Sequence, residues 1–227
     1  MNRTELLTEL DGAIAERNLL KHPFYQDWQA GTLSLERLRL YAKQYYLHVE
    51  SFPIDLHLLA ARAEGSLREL ILENLADETD PVAAHPELWR DFAAAVGVSG
   101  ESFWTVAALS GVRKLVDNYG QICAEAPLEE AVAALYAYEA QVPEISTAKS
   151  EGLRRYYGVT TDKGLAYFKV HEEADRVHRA AWRGWLQNET SPGAKSEVDG
   201  EQILRTAEKA LDALWGALDS IQQANVQ

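Results

Sequence analysis

His171-Glu172-Glu173-Ala174-Asp175-Arg176-Val177-His178 decides how the rest of the chain reads. An α-helix turns roughly 100° per residue, so Asp175 and His178 each lie within roughly 40° of His171 around the axis. Two imidazoles and a carboxylate therefore form one stripe about two turns long. A His/His/carboxylate set with open positions suits a redox-active first-row metal such as iron or manganese. A solvated helix face that happens to carry histidines would read the same way, so the octapeptide needs support from elsewhere in the chain.

Two further stretches give it. Asn74-Leu75-Ala76-Asp77-Glu78 is followed by Pro81 and then His85-Pro86, which repeats the spacing of seven between Glu78 and His85. The prolines interrupt any regular helix between them. Tyr138-Glu139-Ala140-Gln141-Val142-Pro143 places a carboxylate at the end of an otherwise apolar run from Ala131 to Tyr138. A buried glutamate without a partner is costly. Glu78, His85, Glu139, His171, Asp175 and His178 together supply three imidazoles and three carboxylates. That is enough to hold two metal ions, with carboxylates free to bridge them.

The chain has 227 residues, 47% of them hydrophobic, which is ample for a single packed domain over 1–227. A net charge of -13 argues against nucleic acid or an anionic membrane surface as partner. No apolar run approaches the ~20 residues of a membrane span. The polar, charged start does not read as a secretory signal. One cysteine, Cys123, precludes an intrachain disulfide, and the expectation is a cytoplasmic protein.

Helical periodicity runs almost throughout. Helices are expected from Thr4 to Leu20, from Leu35 (capped by Ser34) to Arg62 through Pro53, and from Ser66 to Glu78 behind a Ser66/Glu69 capping box. Pro86 to Val96 reads as a helix stopped at Gly97, and 99–126 as one or two more. Pro127 opens a helix expected to kink at Pro143 and continue to Tyr157. Thr160 or Thr161 caps the helix bearing His171, Asp175 and His178. After a loop over 188–200, Glu201 to Gln223 is a last amphipathic helix. Tyr41, Tyr45, His48 and Phe52 share one face. No strand pattern, nucleotide-binding glycine loop or internal repeat is present. The expectation is an all-α bundle of about seven to nine helices, a class that builds metal sites from inward side chains. The paired Glu-x-x-His motifs of ferritin-like bundles are absent.

Read together, Asn74 to Glu78 with His85 and Leu88-Trp89, Leu135 to Pro143, and Tyr167-Phe168 to His178 resemble the heme-oxygenase-like dimetal oxidases. That superfamily shares its helical fold with proteins of PQQ and thiamin metabolism. The resemblance covers about Leu20 to Ala181. It implies that the six ligands hold two irons, or one iron and one manganese, with O2 and an external electron donor as co-substrates. The nearest branch is the p-aminobenzoate synthases, which serve folate biosynthesis and are thought to consume part of themselves. A tyrosine supplies the ring and a lysine the amine. By motif these are Tyr25, in His22-Pro23-Phe24-Tyr25 with Trp28, and Lys149, in Ile145-Ser146-Thr147-Ala148-Lys149. Tyr41, Tyr138 and Tyr167 match pocket tyrosines of that branch. A homodimer is the implied assembly.

Two alternatives stay open: a dimetal oxidase acting on an external amino acid or fatty acid, and a non-enzymatic interaction protein with a structural metal site. His22, His48 and His57 read as structural, because no motif joins them to the ligands. Glu50 and Glu172 are candidates for orienting ligand histidines.

Overall fold

The structure, a computed structural model, describes residues 1–103, 106–188 and 199–226. Among them are ten α-helices: α1 (Arg3–Glu16), α2 (Pro23–Ala30), α3 (Leu35–Arg62), α4 (Gly65–Glu78), α5 (His85–Ala95), α6 (Ser110–Glu125), α7 (Leu128–Glu139), α8 (Val142–Tyr156), α9 (Asp162–Asn188) and α10 (Gly200–Gln223). Short 3-10 turns occupy Leu19–Lys21 and Gly100–Phe103. The all-helical expectation is borne out. Most of the loop expected over 188–200 lies outside the described residues.

Several helix starts follow from side chains that satisfy free N–H groups. Ser34 Oγ accepts from Arg37 N at the head of α3. His22 Nδ1 accepts from Phe24 N, and Pro23 occupies the first turn of α2, where its missing N–H costs nothing. Thr161 Oγ1 accepts from Gly164 N as α9 begins. The helix expected to reach Leu20 stops at Glu16, and the Asn18 carboxamide caps a separate turn by accepting from Leu20 N.

Two expectations fail locally. Ser66 does not cap α4. Gly65, at φ 56°, makes the sharp left-handed turn out of α3, so α4 begins behind Glu64 with no side-chain cap and Ser66 falls within its first turn. Pro143 does not kink a continuous helix. The chain breaks at Ala140–Gln141, and Pro143 sits in the first turn of α8. This break adds a helix to the expected count. The Gln141 carboxamide pins it, donating to Ala137 O and accepting from Leu19 N.

The long α3 packs against α4, α5 and α6; α9 packs against α5, α7 and α8; α10 closes the far side over α6 and α7. One hydrophobic core runs through them, with Trp28, Trp89 and Trp182 essentially fully buried. Trp89 Nε1 donates to Ala42 O at 2.7 Å and so ties α5 to the middle of α3. Gly152 lets α8 lie against α2: a Cβ there would sit 2.6 Å from Trp28 Cδ1. Trp28 Nε1 donates to Lys149 O across the same contact.

Gly152→Ala tests this packing. Alanine gains about 1 kcal/mol of helix propensity, whereas overpacking a closed core costs about 1–3 kcal/mol. Trp28 is fully buried and has no room to retreat, so the expected outcome is net destabilisation of about 1–2 kcal/mol in urea unfolding. A variant as stable as the parent would show that α2 and α8 are not held this closely.

Candidate metal centre

The six residues selected by spacing converge in the bundle interior, and all six are buried. They form two triads, Glu78/His85/His171 and Glu139/Asp175/His178. Within each, one donor atom per residue lies within 4.8 Å of the others. The break around Pro81 explains the Glu78/His85 spacing: Glu78 ends α4 and His85 begins α5, so the two face each other across the turn. His85 Nδ1 lies 2.9 Å from Glu78 Oε2, and the His85 and His171 rings are 4.3 Å apart.

Other residues fix which atoms face inward. His171 Nδ1 donates to Tyr167 O at 2.7 Å, one helical turn back, which leaves Nε2 with a lone pair for the centre. His178 Nε2 bonds Asp77 Oδ2 at 2.9 Å, which turns Nδ1 toward Asp175 Oδ1 (3.6 Å) and Glu139 Oε2 (3.7 Å). Glu139 is clamped on both oxygens, by Asn74 Nδ2 at 2.8 Å and Trp182 Nε1 at 2.7 Å. Among the described residues Asp175 Oδ2 has no hydrogen-bond partner although it is buried.

The electrostatics match a site built for cations. Burial, and then the neighbouring Asp175, push the Glu139 carboxyl well up; burial likewise raises Asp175. Burial pulls His178 down, but Asp175, Glu139 and Asp77 outweigh it and lift the imidazole to about 9. Burial and the adjacent His85 push His171 well below its ordinary value, so its imidazole is neutral. Three carboxyls crowded with three imidazoles, one carboxylate oxygen left unpaired, fit a pair of first-row divalent ions.

Beside this centre lies an aromatic pocket holding an amine. Lys149 is buried and donates from Nζ to Tyr41 Oη at 2.8 Å; Tyr41 Oη lies 3.0 Å from Tyr25 Oη. The Lys149 Nζ is 5.0 Å from the Tyr25 ring centroid, 5.3 Å from Tyr41 and 5.5 Å from Tyr45. Trp89 and Phe168 complete the cage. Among the described residues no carboxylate is hydrogen-bonded to the amine, and burial lowers it to about 7. Tyr45 donates to Tyr138 Oη at 3.5 Å. Tyr167 joins pocket to centre, its ring 4.1 Å from that of His171. The void between Tyr25, Tyr45, Tyr138, Tyr167, Ser146 and Lys149 offers about 10 Å³ to the centre of a water-sized sphere, room for about one water.

The pocket thus contains Tyr25, Tyr41, Tyr138, Tyr167 and Lys149. His22 caps α2 and bonds Asp219, and His57 is exposed. Glu50 does not reach a ligand histidine; it accepts from Tyr46 and lies near Arg90. Among the described residues Glu172 makes no hydrogen bond to a ligand either. The groups that orient the ligands are Asp77, Asn74, Trp182 and the Tyr167 carbonyl. Asp77 and Asn74 stand in the same motif as Glu78, one and four residues before it, and that adjacency is the signal by which they could have been found.

Comparison with known proteins agrees with this geometry. A family model described as iron-containing redox enzyme matches residues 39–215. The chain is 38% identical to a 4-aminobenzoate synthase of Chlamydia pneumoniae, over 96% of this chain and 95% of that one. It is 35% identical to a 4-aminobenzoate synthase of Nitrosomonas europaea, over 95% and 90%. A TenA homolog from Pseudomonas syringae superposes with a TM-score of 0.82 over 97% of this chain and 92% of its own, at 19% identity, which speaks to the fold.

Asp77→Asn removes the carboxylate that holds His178. The expected outcome is a 10–100-fold loss of metal affinity in a chelator competition, with the helical fold intact. In the parent, metal loading should weaken from pH 8 to pH 5, because a ligand must shed its proton and His178 holds its proton up to about 9. Loading that is flat across that range would contradict the assignment of His178.

Proposed function

The chain belongs to the family of iron-containing redox enzymes, and we propose that within it this protein makes 4-aminobenzoate from its own Tyr25, with Lys149 as the amine donor. Glu78, His85 and His171 hold one metal ion, and Glu139, Asp175 and His178 the other. The ions, two irons or an iron and a manganese, supply the reduction of O2 with electrons from an external donor.

The observation that carries this reading is the fullness of the pocket. As it stands the void has room for about one water and none for an amino acid or a fatty acid, whereas ligand sites commonly need about 300–1,000 Å³. The aromatic ring and the amine are already inside as Tyr25 and Lys149. Their chemistry suits the product. Tyrosine carries Cβ and Oη in para positions on its ring, as 4-aminobenzoate carries its carboxyl and amine. With O2 as the oxidant, cleavage between Cα and Cβ frees the ring and Cβ becomes the carboxyl carbon; nitrogen replaces the phenolic oxygen, which leaves as water, and the lysine Cε–Nζ bond breaks with Cε left as an aldehyde.

The residues around them prepare that exchange. Burial holds a large share of Lys149 as the free amine near neutral pH, the form with a lone pair to give. Tyr41 bridges the amine and the Tyr25 hydroxyl, so it can pass a proton between them. Trp28 fixes the backbone of Lys149 and packs near the Tyr25 ring, at 6.2 Å between centroids. The names of the 4-aminobenzoate synthase relatives agree with the reading.

Two substitutions test it. Tyr25→Phe should retain two metals and yield no 4-aminobenzoate by mass spectrometry. Lys149→Met should also abolish product, yet stabilise the fold. The unfolded chain binds its lysine proton up to about pH 10.4, and the folded one only up to about 7. The burial cost is therefore full below pH 7 and relieved as pH rises toward 10.4. It amounts to at most about 5 kcal/mol, reduced by the lost bond to Tyr41, so the gain in melting temperature should be larger at pH 6.5 than at pH 9. Product from either variant would remove that residue as a donor.

A further inference from the structure

The void beside Lys149 has room for about one water, so a freed 4-aminobenzoate has to leave through one of its walls. Those walls are unequal. Tyr25, Tyr45, Tyr138, Lys149 and Tyr167 stand on α-helices, where moving one residue aside breaks several cooperative backbone bonds. Leu19 alone among the lining residues comes from outside the α-helices, from the 3-10 turn Leu19–Lys21 that joins α1 to α2. The wall is one residue thick there: Leu19 is 2% exposed, Asn18 and Leu20 are half-buried, and Lys21 is exposed.

The turn is a strap with two fixed ends and one latch. At one end Arg17 O accepts from Trp215 Nε1 at 2.6 Å, and the Arg17 guanidinium donates to Asp212 Oδ1 at 2.8 Å. At the other, His22 Nε2 lies 3.2 Å from Asp219 Oδ1. All three partners belong to α10. Between the ends, the backbone N–H of Leu19 donates to Gln141 Oε1 at 2.9 Å. Among the described residues no other hydrogen bond ties residues 18–21 to the pocket walls. Gln141 is itself buried and held, donating to Ala137 O at 3.0 Å across the break between α7 and α8. The remaining side-chain bonds of the turn, Leu20 N to Asn18 Oδ1 and Lys21 Nζ to Ala15 O, run along its own segment.

We propose that residues 18–21 are the gate through which 4-aminobenzoate leaves, latched shut by the Gln141 carboxamide and plugged by the Leu19 side chain. This rests on the preceding reading, in which the product is made inside the pocket. Opening disturbs little structure. One hydrogen bond breaks at Leu19 and one side chain withdraws, while Arg17 and His22 keep the ends in place. Local openings are drawn from segments with few bonds to their surroundings, and such motions commonly control product release. Tyr25 follows closely on the His22 anchor, in the first turn of α2, so the ring is freed next to the gate. Leu19, Val142 and Ile145 line this side of the void. Their apolar side chains let a flat aromatic ring pass and offer it no hydrogen bond that would hold it back.

Tyr25→Gly reproduces the spent chain, because cleavage between Cα and Cβ leaves a residue without a side chain. The probe is p-cresol, the missing side chain as a free molecule, and its on- and off-rates are measured by exchange NMR with and without the latch. Adding Gln141→Leu should raise both rates about 10-fold and keep the dissociation constant within about twofold, since an unlatched gate speeds entry and exit alike. Adding Asn18→Ala instead, which loosens the turn from its outer side, should raise both about threefold. Unmoved rates, or a change in affinity with no change in on-rate, would overturn the proposal; the second pattern is what a merely structural role gives. If Tyr25→Gly or Gln141→Leu fails to fold, amide exchange of the parent and of Asn18→Ala decides. Residues 19–21 should then exchange ahead of α8 and α9, and faster in the variant; a turn that exchanges only together with those helices overturns the gate. None of these rates needs metal or turnover. A parent that makes no 4-aminobenzoate sinks the preceding reading, whereas a productive parent with p-cresol rates indifferent to the latch sinks only the gate.

Discussion

Three carboxyls, three imidazoles and an amine are held in the dry interior of a helical bundle, where each ionised group alone would cost several kcal/mol. Most of the architecture around the centre answers that constraint. The imidazoles and carboxyls neutralise one another in two triads. Their outer atoms are bonded by Asp77, Asn74, Trp182 and the Tyr167 carbonyl. One carboxylate oxygen, on Asp175, has no hydrogen-bond partner among the described residues, which fits a site for a cation. The amine meets the constraint differently. Among the described residues Lys149 has no carboxylate partner, and burial lowers it to about 7, with ring faces around it and one phenol to bond. The same desolvation that destabilises the charged lysine favours its neutral amine.

The helix breaks are as functional as the helices. The end of α4 and the start of α5 turn Glu78 toward His85. The break at Ala140–Gln141 ends α7 on Glu139 and redirects α8, so that one segment delivers a ligand and the next a lysine. A continuous helix could not place both, because Glu139 and Lys149 would lie about three turns apart along one axis. Gly152 and Trp28 then bring α8 close enough to α2 for the amine to stand over the Tyr25 ring.

Much of this was legible in the sequence, and the limits are physical. His171, Asp175 and His178 are set by helical periodicity alone, and Glu139 by the cost of a carboxylate closing an apolar run. Glu78 and His85 were legible as a pair, although the turn that joins them was not. The Pro143 expectation failed because a proline fits a kink or a first turn equally well, and the choice was made by Gln141 bonding the distant Leu19 backbone. Ser66 had the right pattern for a cap, but Gly65 had already started the helix. Rings from α3, α6 and α7 enclose the buried His48, and no local pattern announces such a meeting.

The measurement that bears most directly on the account is an isotope-tracing single turnover. Protein is prepared with ring-13C tyrosine and ε-15N lysine, loaded with iron and manganese, reduced and exposed to O2. The 4-aminobenzoate formed and the intact chain are then weighed by mass spectrometry. The account predicts product carrying both labels, at no more than one per chain, with the loss mapped to the peptide containing Tyr25. Unlabelled product, or labelled product with the Tyr25 peptide intact, would contradict it.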